Sequence, residues 1–251
     1  MNDFFLIYAH RGASATHPEN TMPAFAAALR QGATGIELDV QLTRDGELVV
    51  FHDWSLKRIF GKPGHIRDYT LAELRRFDAG RWFDSRFAGI SIPTLNDVLD
   101  RAAAKSIMLN IELKNFFSFA NGIEQKVSEA IARHNLQDQT VISTFNPLSL
   151  ELLQQTGCGA DTAFLYFGHL REAWRYAHEY NCAYLHPPVH EVTESFVEAC
   201  REHDIKIVPY QVNTLPEITR MIELGTDGII TSQPTLAHRL LHGEKRRKPK
   251  R

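Results

Sequence analysis

Short strand-like runs alternate with amphipathic helical stretches along nearly all of the 251-residue chain, and this alternation constrains the fold most. With the return strand of one hairpin set aside, the pattern gives eight strand–helix pairs, from a first strand at Phe4–Ala9 to a last at Gly228–Thr231. Regular alternation with short connections indicates a parallel sheet. Eight units in a chain of this length favour a closed barrel over an open doubly wound sheet. The sequence therefore predicts an α/β protein, a (β/α)8 TIM barrel.

A long segment interrupts the alternation after the second strand and its hairpin partner. This segment, residues 55–93, is called the excursion below, and it contains three aromatic residues, Trp82, Phe83 and Phe87. Segments of this length in a compact domain are commonly functional. Its aromatic residues could form a small core of their own or line one side of a binding pocket. We expect a single barrel domain over residues 1–243, with the excursion inside it, and a basic, disordered tail over residues 244–251.

The charge distribution excludes some classes of function. Residues 245–251 contain six of the 28 Lys and Arg residues, and the chain up to residue 243 keeps 22 basic and 29 acidic residues, a formal charge of −7. A body of that sign gives no support to nucleic-acid binding. No apolar run approaches the roughly 18 residues of a membrane span. The three cysteines form no CxxC pair, which indicates buried thiols in a reducing compartment, so we expect a cytoplasmic protein.

Two strand-like segments carry carboxylates on one face. In "GIELDVQ", the two-residue period of a strand places Glu37 and Asp39 together, and "LNIELKN" places Glu112 and Lys114 together. Inward-facing carboxylates are costly unless they are paired or bind a metal. Their oxygens suit Mg²⁺ or Ca²⁺. The residues alone leave a second interpretation equally open, a buried ion-pair network with Lys114 and Arg11.

Two histidines end neighbouring strand-like runs. His10 follows the first strand, and His52 ends the return strand of the hairpin, so both can face the same mouth of a barrel. One neutral and one protonated imidazole can act as general base and general acid near neutral pH. Arg11 and Lys114 add permanent positive charge, which suits an anionic substrate such as a phosphate.

Six segments in order resemble the glycerophosphodiester phosphodiesterase family: "HRGASATHPENT", "GIELDVQLTRDGELVVFHD", "IPTLNDVL", "NIELK", "VISTF" and "VPYQVNT". Each segment alone is a weak indicator of the family, but the ordered set is specific for it and extends over nearly the whole chain. The resemblance implies a metal-dependent α/β barrel with a segment inserted after the second strand. It implies cleavage of glycerophosphodiesters to glycerol 3-phosphate and an alcohol such as choline or ethanolamine, a step of glycerol and lipid metabolism.

The resemblance also implies a role for individual residues. The metal ligands for Mg²⁺ or Ca²⁺ fall on Glu37, Asp39 and Glu112. The acid/base pair falls on His10 and His52. The phosphate-contacting cations fall on Arg11 and Lys114. Two positions depart from the usual family pattern: Ser232 replaces the acid of a Thr-Asp-x-Pro motif, and Gln211 stands in a "YQVN" segment where Trp or Tyr followed by Thr is common.

Two other functions remain open at this point. The same chemistry could act on a lysophospholipid, which would require an apolar groove or patch beside the site. Alternatively, the barrel could bind a phosphodiester without cleaving it, although both histidines and all three carboxylates are present. The sequence does not decide between Mg²⁺ and Ca²⁺, which histidine is the acid, the order of bond making, the headgroup or the oligomeric state.

Overall fold

The structure, a computed structural model, describes residues 5–115 and 122–243. It contains nine strands within these ranges: β1 (Leu6–His10), β2 (Gly35–Leu42), β3 (Leu48–Val50), β4 (Met108–Leu113), β5 (Thr140–Thr144), β6 (Asp161–Leu165), β7 (Tyr184–His186), β8 (Lys206–Ile207) and β9 (Gly228–Thr231). Eight of them are parallel neighbours in the order β8-β7-β6-β5-β4-β2-β1-β9, and β3 pairs antiparallel with β2 at one end. The predicted hairpin is therefore confirmed.

The sheet nearly closes on itself. The outer strands β8 and β9 are joined by backbone hydrogen bonds, from the amide of Asp227 to the carbonyl of Ile207 at 3.0 Å and from that of Ile230 to Pro209 at 2.9 Å. The ladder beside β8 is sparse because prolines at 187, 188 and 209 have no amide hydrogen to donate. For this reason β8 ends at Ile207. The predicted eight-stranded α/β barrel is confirmed.

Helices connect the strands on the outside of the barrel. Their bounds are α1 (Met22–Arg30), α2 (Lys57–Phe60), α3 (Leu71–Leu74), α4 (Leu95–Ala103), α5 (Ile123–Arg133), α6 (Pro147–Thr156), α7 (Ala173–Glu179), α8 (Glu194–Glu202), α9 (Leu215–Leu224) and α10 (Pro234–Leu241). Five of them begin at a threonine whose hydroxyl oxygen accepts a hydrogen bond from the amide three residues later: Thr21, Thr70, Thr94, Thr193 and Thr214. Such caps satisfy amides that a helix leaves unpaired at its first turn.

Burial divides the apolar residues into layers. Alternate strand residues such as Ile36, Leu38 and Ile111 pack outward against the helices and are fully buried there. The opposite face points into the barrel, where Tyr8, Tyr184 and neighbouring apolar residues fill the interior. The strand period of two thus leaves the polar face of β2 and β4 inside the barrel. None of the described helices is both long and apolar enough to cross a bilayer.

The excursion forms a satellite core beside the hairpin. Leu56, Ile59, Ile66 and Leu74 are buried there against β3 residues, and Trp82 is packed at the edge of this cluster. Helices α2 and α3 belong to this segment. The single-domain organisation remains a prediction, and residues 244–251 lie outside the described part of the chain.

Candidate active site

Strand register brings the carboxylates and one histidine to the same level of the barrel. His10, at the end of β1, lies beside Glu37 on β2, and Asp39 lies beside Glu112 on β4. Oxygen atoms from Glu37, Asp39 and Glu112 all lie within 4.8 Å of one another. The three side chains that the sequence pattern placed on one face are therefore brought together, in the part of the barrel nearest the carboxyl ends of its strands.

Both predicted cations contact this cluster. The Lys114 ammonium lies 2.7 Å from Glu112 Oε1 and 3.6 Å from Asp39 Oδ1, and the Arg11 Nε atom lies 3.3 Å from Asp39 Oδ2. Glu37 accepts a hydrogen bond from the Arg11 backbone amide at 2.8 Å instead. Two side-chain cations thus face three carboxylates, which leaves the buried cluster with an excess negative charge.

The surroundings shift the pKa values of the carboxyl groups apart. Burial, together with the charges of Asp39 and Glu112, raises the pKa of Glu37 well above its usual range. Burial also raises the pKa of Glu112, despite its contact with Lys114. Burial alone would raise the pKa of Asp39 too, but Arg11 and Lys114 hold it well below its usual range. A like-charged buried cluster of this kind is unfavourable unless another cation is present.

The cluster has the donor set of a divalent cation site. Asp39 Oδ1 is buried and makes no hydrogen bond within the described residues, and the uncompensated charge is negative. Three convergent carboxylates are hard oxygen ligands of the kind that bind Mg²⁺ or Ca²⁺. The residues present therefore fit such an ion, and the ion-pair network with Arg11 and Lys114 coexists with this arrangement instead of replacing it.

The turn after β1 shows why His10, Arg11 and Gly12 are adjacent. Arg11 has a φ of 56°, which directs its backbone amide to Glu37 while its side chain reaches Asp39. Gly12 has a φ of 83°, and a Cβ atom there would lie 2.8 Å from the carbonyl carbon of Ala24. Only glycine fits this close approach without a shift of the backbone. The turn thus fixes the proposed phosphate-binding cation beside the carboxylates.

Asn20 also serves the cluster. In sequence Asn20 resembles an N-cap of the first helix, but Thr21 caps α1 instead. Asn20 has a φ of 54° and donates a hydrogen bond from Nδ2 to Asp39 Oδ2 at 2.8 Å. Asparagine tolerates this left-handed conformation better than most residues. Asn20 therefore acts as a hydrogen-bond partner of the acidic cluster and not as a helix cap.

The two histidines have different partners. The His10 Nδ1 and Nε2 atoms lie 3.5 Å from Ser232 Oγ and 3.3 Å from Gln211 Nε2. Burial, together with the positive charge of Arg11, lowers the pKa of His10 to about 3. His52 instead places Nδ1 2.9 Å from Asp53 Oδ1. The two departures from the family pattern, Ser232 and Gln211, therefore both contact His10.

Both histidines line one cavity of about 160 Å³ at the mouth of the barrel, together with Arg11, Glu37 and Glu112. Its lining also includes Gln211 and residues that the sequence pattern did not single out: Asn110, Ser143, Phe145, Phe167 and Tyr210. The sequence could have indicated Asn110 and Ser143 as cavity residues, because both lie on the inward faces of β4 and β5, toward the ends of the strands where barrel sites form. The cavity lining includes no residue of the excursion.

An aromatic group forms one side of the cavity. The rings of Phe145 and Phe167 are stacked with their centroids 4.1 Å apart, and Tyr210 meets Phe145 edge to face at 6.0 Å. Phe167 is 72% exposed. These residues follow β5, β6 and β8, so their side of the mouth is apolar, in contrast to the charged side formed by β1, β2 and β4.

An eight-stranded α/β barrel with acidic, basic and imidazole groups at the carboxyl ends of its strands has the layout of barrel enzymes that act on anionic substrates. Comparison with known proteins makes the class specific. The model of the glycerophosphoryl diester phosphodiesterase family matches residues 10–236. The chain belongs to this family and is thereby a phosphoric diester hydrolase, as the resemblance implied.

Individual relatives agree with this placement. The chain is 40% identical over 229 residues to a glycerophosphodiester phosphodiesterase of Caldanaerobacter subterraneus subsp. tengcongensis, an alignment that covers 91% of this chain and 94% of that protein. A glycerophosphodiester phosphodiesterase structure from Agrobacterium tumefaciens str. C58 shares the fold, with a TM-score of 0.83, 26% identity and coverage of 94% of this chain and 99% of that chain.

A further solved structure holds a small molecule. An Oleispira antarctica phosphodiesterase in complex with the product sn-glycerol-3-phosphate superimposes with a TM-score of 0.85 and 25% identity, covering 95% of this chain and 97% of that one. The family, the barrel fold and the enzyme class expected from the sequence are therefore all confirmed.

Proposed function

We propose that this chain hydrolyses glycerophosphodiesters to glycerol 3-phosphate and an alcohol, with a divalent cation and two histidines at the barrel mouth. The observation that carries the proposal is one cavity of about 160 Å³ that is lined by both histidines, Arg11, Glu37 and Glu112. Asp39 and Lys114 complete the cluster through their contacts with these residues. The product named for the Oleispira antarctica structure supports the same substrate class.

The proposed ligands of the cation, Mg²⁺ or Ca²⁺, are Glu37, Asp39 and Glu112. When bound, such an ion polarises phosphoryl oxygens and stabilises the charge that develops on them. The carboxylates keep their positions through other contacts: Asn20 holds Asp39, and the Arg11 amide holds Glu37.

Arg11 and Lys114 are the proposed phosphate-binding cations. Both side chains are mostly buried, at 14% and 12% exposure, and both already contact the cluster. Fixed cations beside a phosphoryl group stabilise negative charge more strongly in a buried site than in water. Their positions are set before substrate arrives, because the turn after β1 and the end of β4 hold their backbones.

The partners of the histidines favour separate roles. His10 has a lowered pKa and no carboxylate at either ring nitrogen within the described residues, so its ring is neutral and able to accept a proton from the nucleophile. The nucleophile would be either the neighbouring glycerol hydroxyl or water. His52 has Asp53 at Nδ1, which places a negative charge beside the ring and leaves Nε2 to donate a proton to the leaving oxygen.

The test is release of glycerol 3-phosphate from glycerophosphocholine, measured with a coupled dehydrogenase, for the wild type and Asp39→Asn. The proposal expects turnover by the wild type and none above background by the variant. A folded wild-type protein that bound the diester with added Mg²⁺ or Ca²⁺ but did not cleave it would support a non-catalytic binding barrel instead.

A second candidate substrate class is favoured by the aromatic side of the cavity. The stacked pair of Phe145 and Phe167 supplies the apolar patch that a lysophospholipid would require, and Phe167 is 72% exposed beside the mouth. Turnover of lysophosphatidylcholine with a kcat/KM above that for glycerophosphocholine, reduced by Phe167→Ala, would make this the better assignment.

A further inference from the structure

We infer that Arg58, which belongs to the excursion, is a positioning residue that fixes the directions of His52 and Arg11 through two shared carboxylates. The inference rests on the proposed function, because it concerns the histidine and the cation assigned to that chemistry. It gives the excursion a role in positioning the site, although none of its aromatic residues lines the cavity.

The guanidinium of Arg58 lies between two carboxylates and forms paired hydrogen bonds with each. Nε and Nη2 donate to Asp53 at 2.6 and 2.8 Å, and Nη1 and Nη2 donate to Glu19 at 2.9 and 2.7 Å. Planar, bidentate pairing of this kind restricts direction as well as distance. Lysine cannot reproduce it, because an ammonium lacks the fork.

Each of these carboxylates has a second partner in the candidate site. Asp53 Oδ1 lies 2.9 Å from His52 Nδ1, and Glu19 Oε1 accepts from Arg11 Nη1 at 2.9 Å. Asp53 is ionised, because hydrogen bonds from His52 and Arg58 offset the effect of burial and hold its pKa well below the usual range. An ionised carboxylate can only accept, so His52 carries its proton on Nδ1 and presents Nε2 to the cavity.

Arg58 also accounts for a second group of potential metal ligands. Atoms of Glu19, His52 and Asp53 lie within 4.8 Å of one another, as metal ligands would. Arg58 already donates hydrogen bonds to both carboxylates of that group, so its permanent positive charge neutralises them without a second metal ion. The excursion thus supplies the charge compensation with a side chain.

The backbone of Arg58 is held by the excursion's own core. Its neighbour Ile59 is 8% exposed, Leu56 is fully buried, and both pack in the satellite cluster. The guanidinium carbon lies 5.1 Å from the centroid of the Trp82 ring, a distance at which a cation and an aromatic ring attract. The Trp82 ring therefore helps to hold the Arg58 guanidinium in place.

The primary experiment records ¹⁵N spectra of the histidine side chains at alkaline pH, with the His52 signals assigned from a His52→Gln spectrum. The wild type should show a His52 ring protonated on Nδ1. Arg58→Met and Asp53→Asn should shift the ring toward the tautomer protonated on Nε2. Arg86→Met is the matched control, since Arg86 is an excursion arginine paired with Asp84 only through exposed contacts, and it should match the wild type.

Kinetics provide the second readout. Arg58→Met should lower kcat for glycerophosphocholine about 10- to 100-fold, the usual cost of losing an outer partner, with a smaller change in KM. In a Glu19→Gln/Asp53→Asn background the same substitution should cost little more, because the path through the carboxylates is already broken. Arg58→Lys keeps the charge and stem, and should retain the fold with an intermediate kcat.

The outcomes separate this inference from the proposed function. A wild-type tautomer with unchanged kcat in a folded Arg58→Met variant would overturn the inference, and so would a full additional loss in the double-variant background. If the tautomer shifts as expected but the wild type cleaves no diester, the positioning role stands and the proposed function fails.

Discussion

His186 provides a quantitative test of how the barrel interior is built. It is the last residue of β7, its neighbour Leu185 packs outward, and its own side chain is fully buried inside. Neither ring nitrogen has a hydrogen-bond partner among the described residues. Burial lowers the pKa of His186 from 6.5 to about 3. The folded protein therefore holds this ring neutral, whereas the unfolded chain takes up a proton as the pH falls through about 6.5.

The resulting loss of stability can be worked out from these two pKa values. Because the folded-state pKa is the lower one, the contribution is favourable above pH 6.5 and is lost progressively as the pH falls toward 3. Between pH 7.5 and pH 5, proton uptake by the unfolded state costs about 2 kcal/mol for this one side chain. The pKa of His10 is lowered in the same direction. Because His10 is present in the wild type and in the His186 variant alike, its effect cancels when the two are compared.

The assay is urea unfolding of the wild type and His186→Leu at both pH values, with His190→Leu as a control because the His190 side chain is 68% exposed. The free energy of unfolding should fall between pH 7.5 and pH 5 by about 2 kcal/mol less in His186→Leu than in the wild type. His190→Leu should follow the wild type. Equal pH dependence in the wild type and His186→Leu would show that the folded protein does not hold His186 neutral.

Three further predictions concern the site. Saturating Ca²⁺ or Mg²⁺, at about a hundred times its dissociation constant, should stabilise the wild type by about 2.7 kcal/mol in thermal unfolding. The variants Glu37→Gln and Glu112→Gln should fold but show neither this stabilisation nor turnover. An equal stabilisation of these variants would exclude the carboxylates as ligands. His52→Ala should lose about 10² to 10⁴ in kcat/KM on glycerophosphocholine and much less on a nitrophenyl diester, whose leaving group requires no acid; equal losses on both would remove the acid role. Phe145→Ala should change the ratio of kcat/KM for glycerophosphocholine and glycerophosphoethanolamine, while Phe83→Ala in the excursion should leave it within about twofold of the wild type; the reverse result would place the headgroup beside the excursion.

Strand periodicity made much of this site predictable. The alternation around Glu37, Asp39 and Glu112 predicted that these side chains face into the barrel, because a strand has only two faces. It also predicted that they lie close together, because neighbouring parallel strands have their carboxyl ends on the same side. His10 and His52 followed from the same reasoning about strand ends. The structure places all five, together with Arg11 and Lys114, around the mouth of the barrel.

Contacts between distant segments were not predictable in this way. Arg58 has no periodic signal, and its pairing with Glu19 across 39 residues depends on how the excursion folds. Asn20 resembles a helix cap in sequence, and only its left-handed backbone reveals that it turns toward Asp39. The aromatic pair of Phe145 and Phe167 comes from two separate loops, so no local pattern indicated the stack.

The most direct test of the account follows glycerophosphocholine by ³¹P NMR, with metal-depleted protein first and with Mg²⁺ or Ca²⁺ then added to the same sample. A stable diester signal is expected until the ion is added, followed by its conversion to glycerol 3-phosphate. Conversion at the same rate before and after addition would contradict the role assigned to Glu37, Asp39 and Glu112. No conversion with either ion would contradict the proposed activity itself.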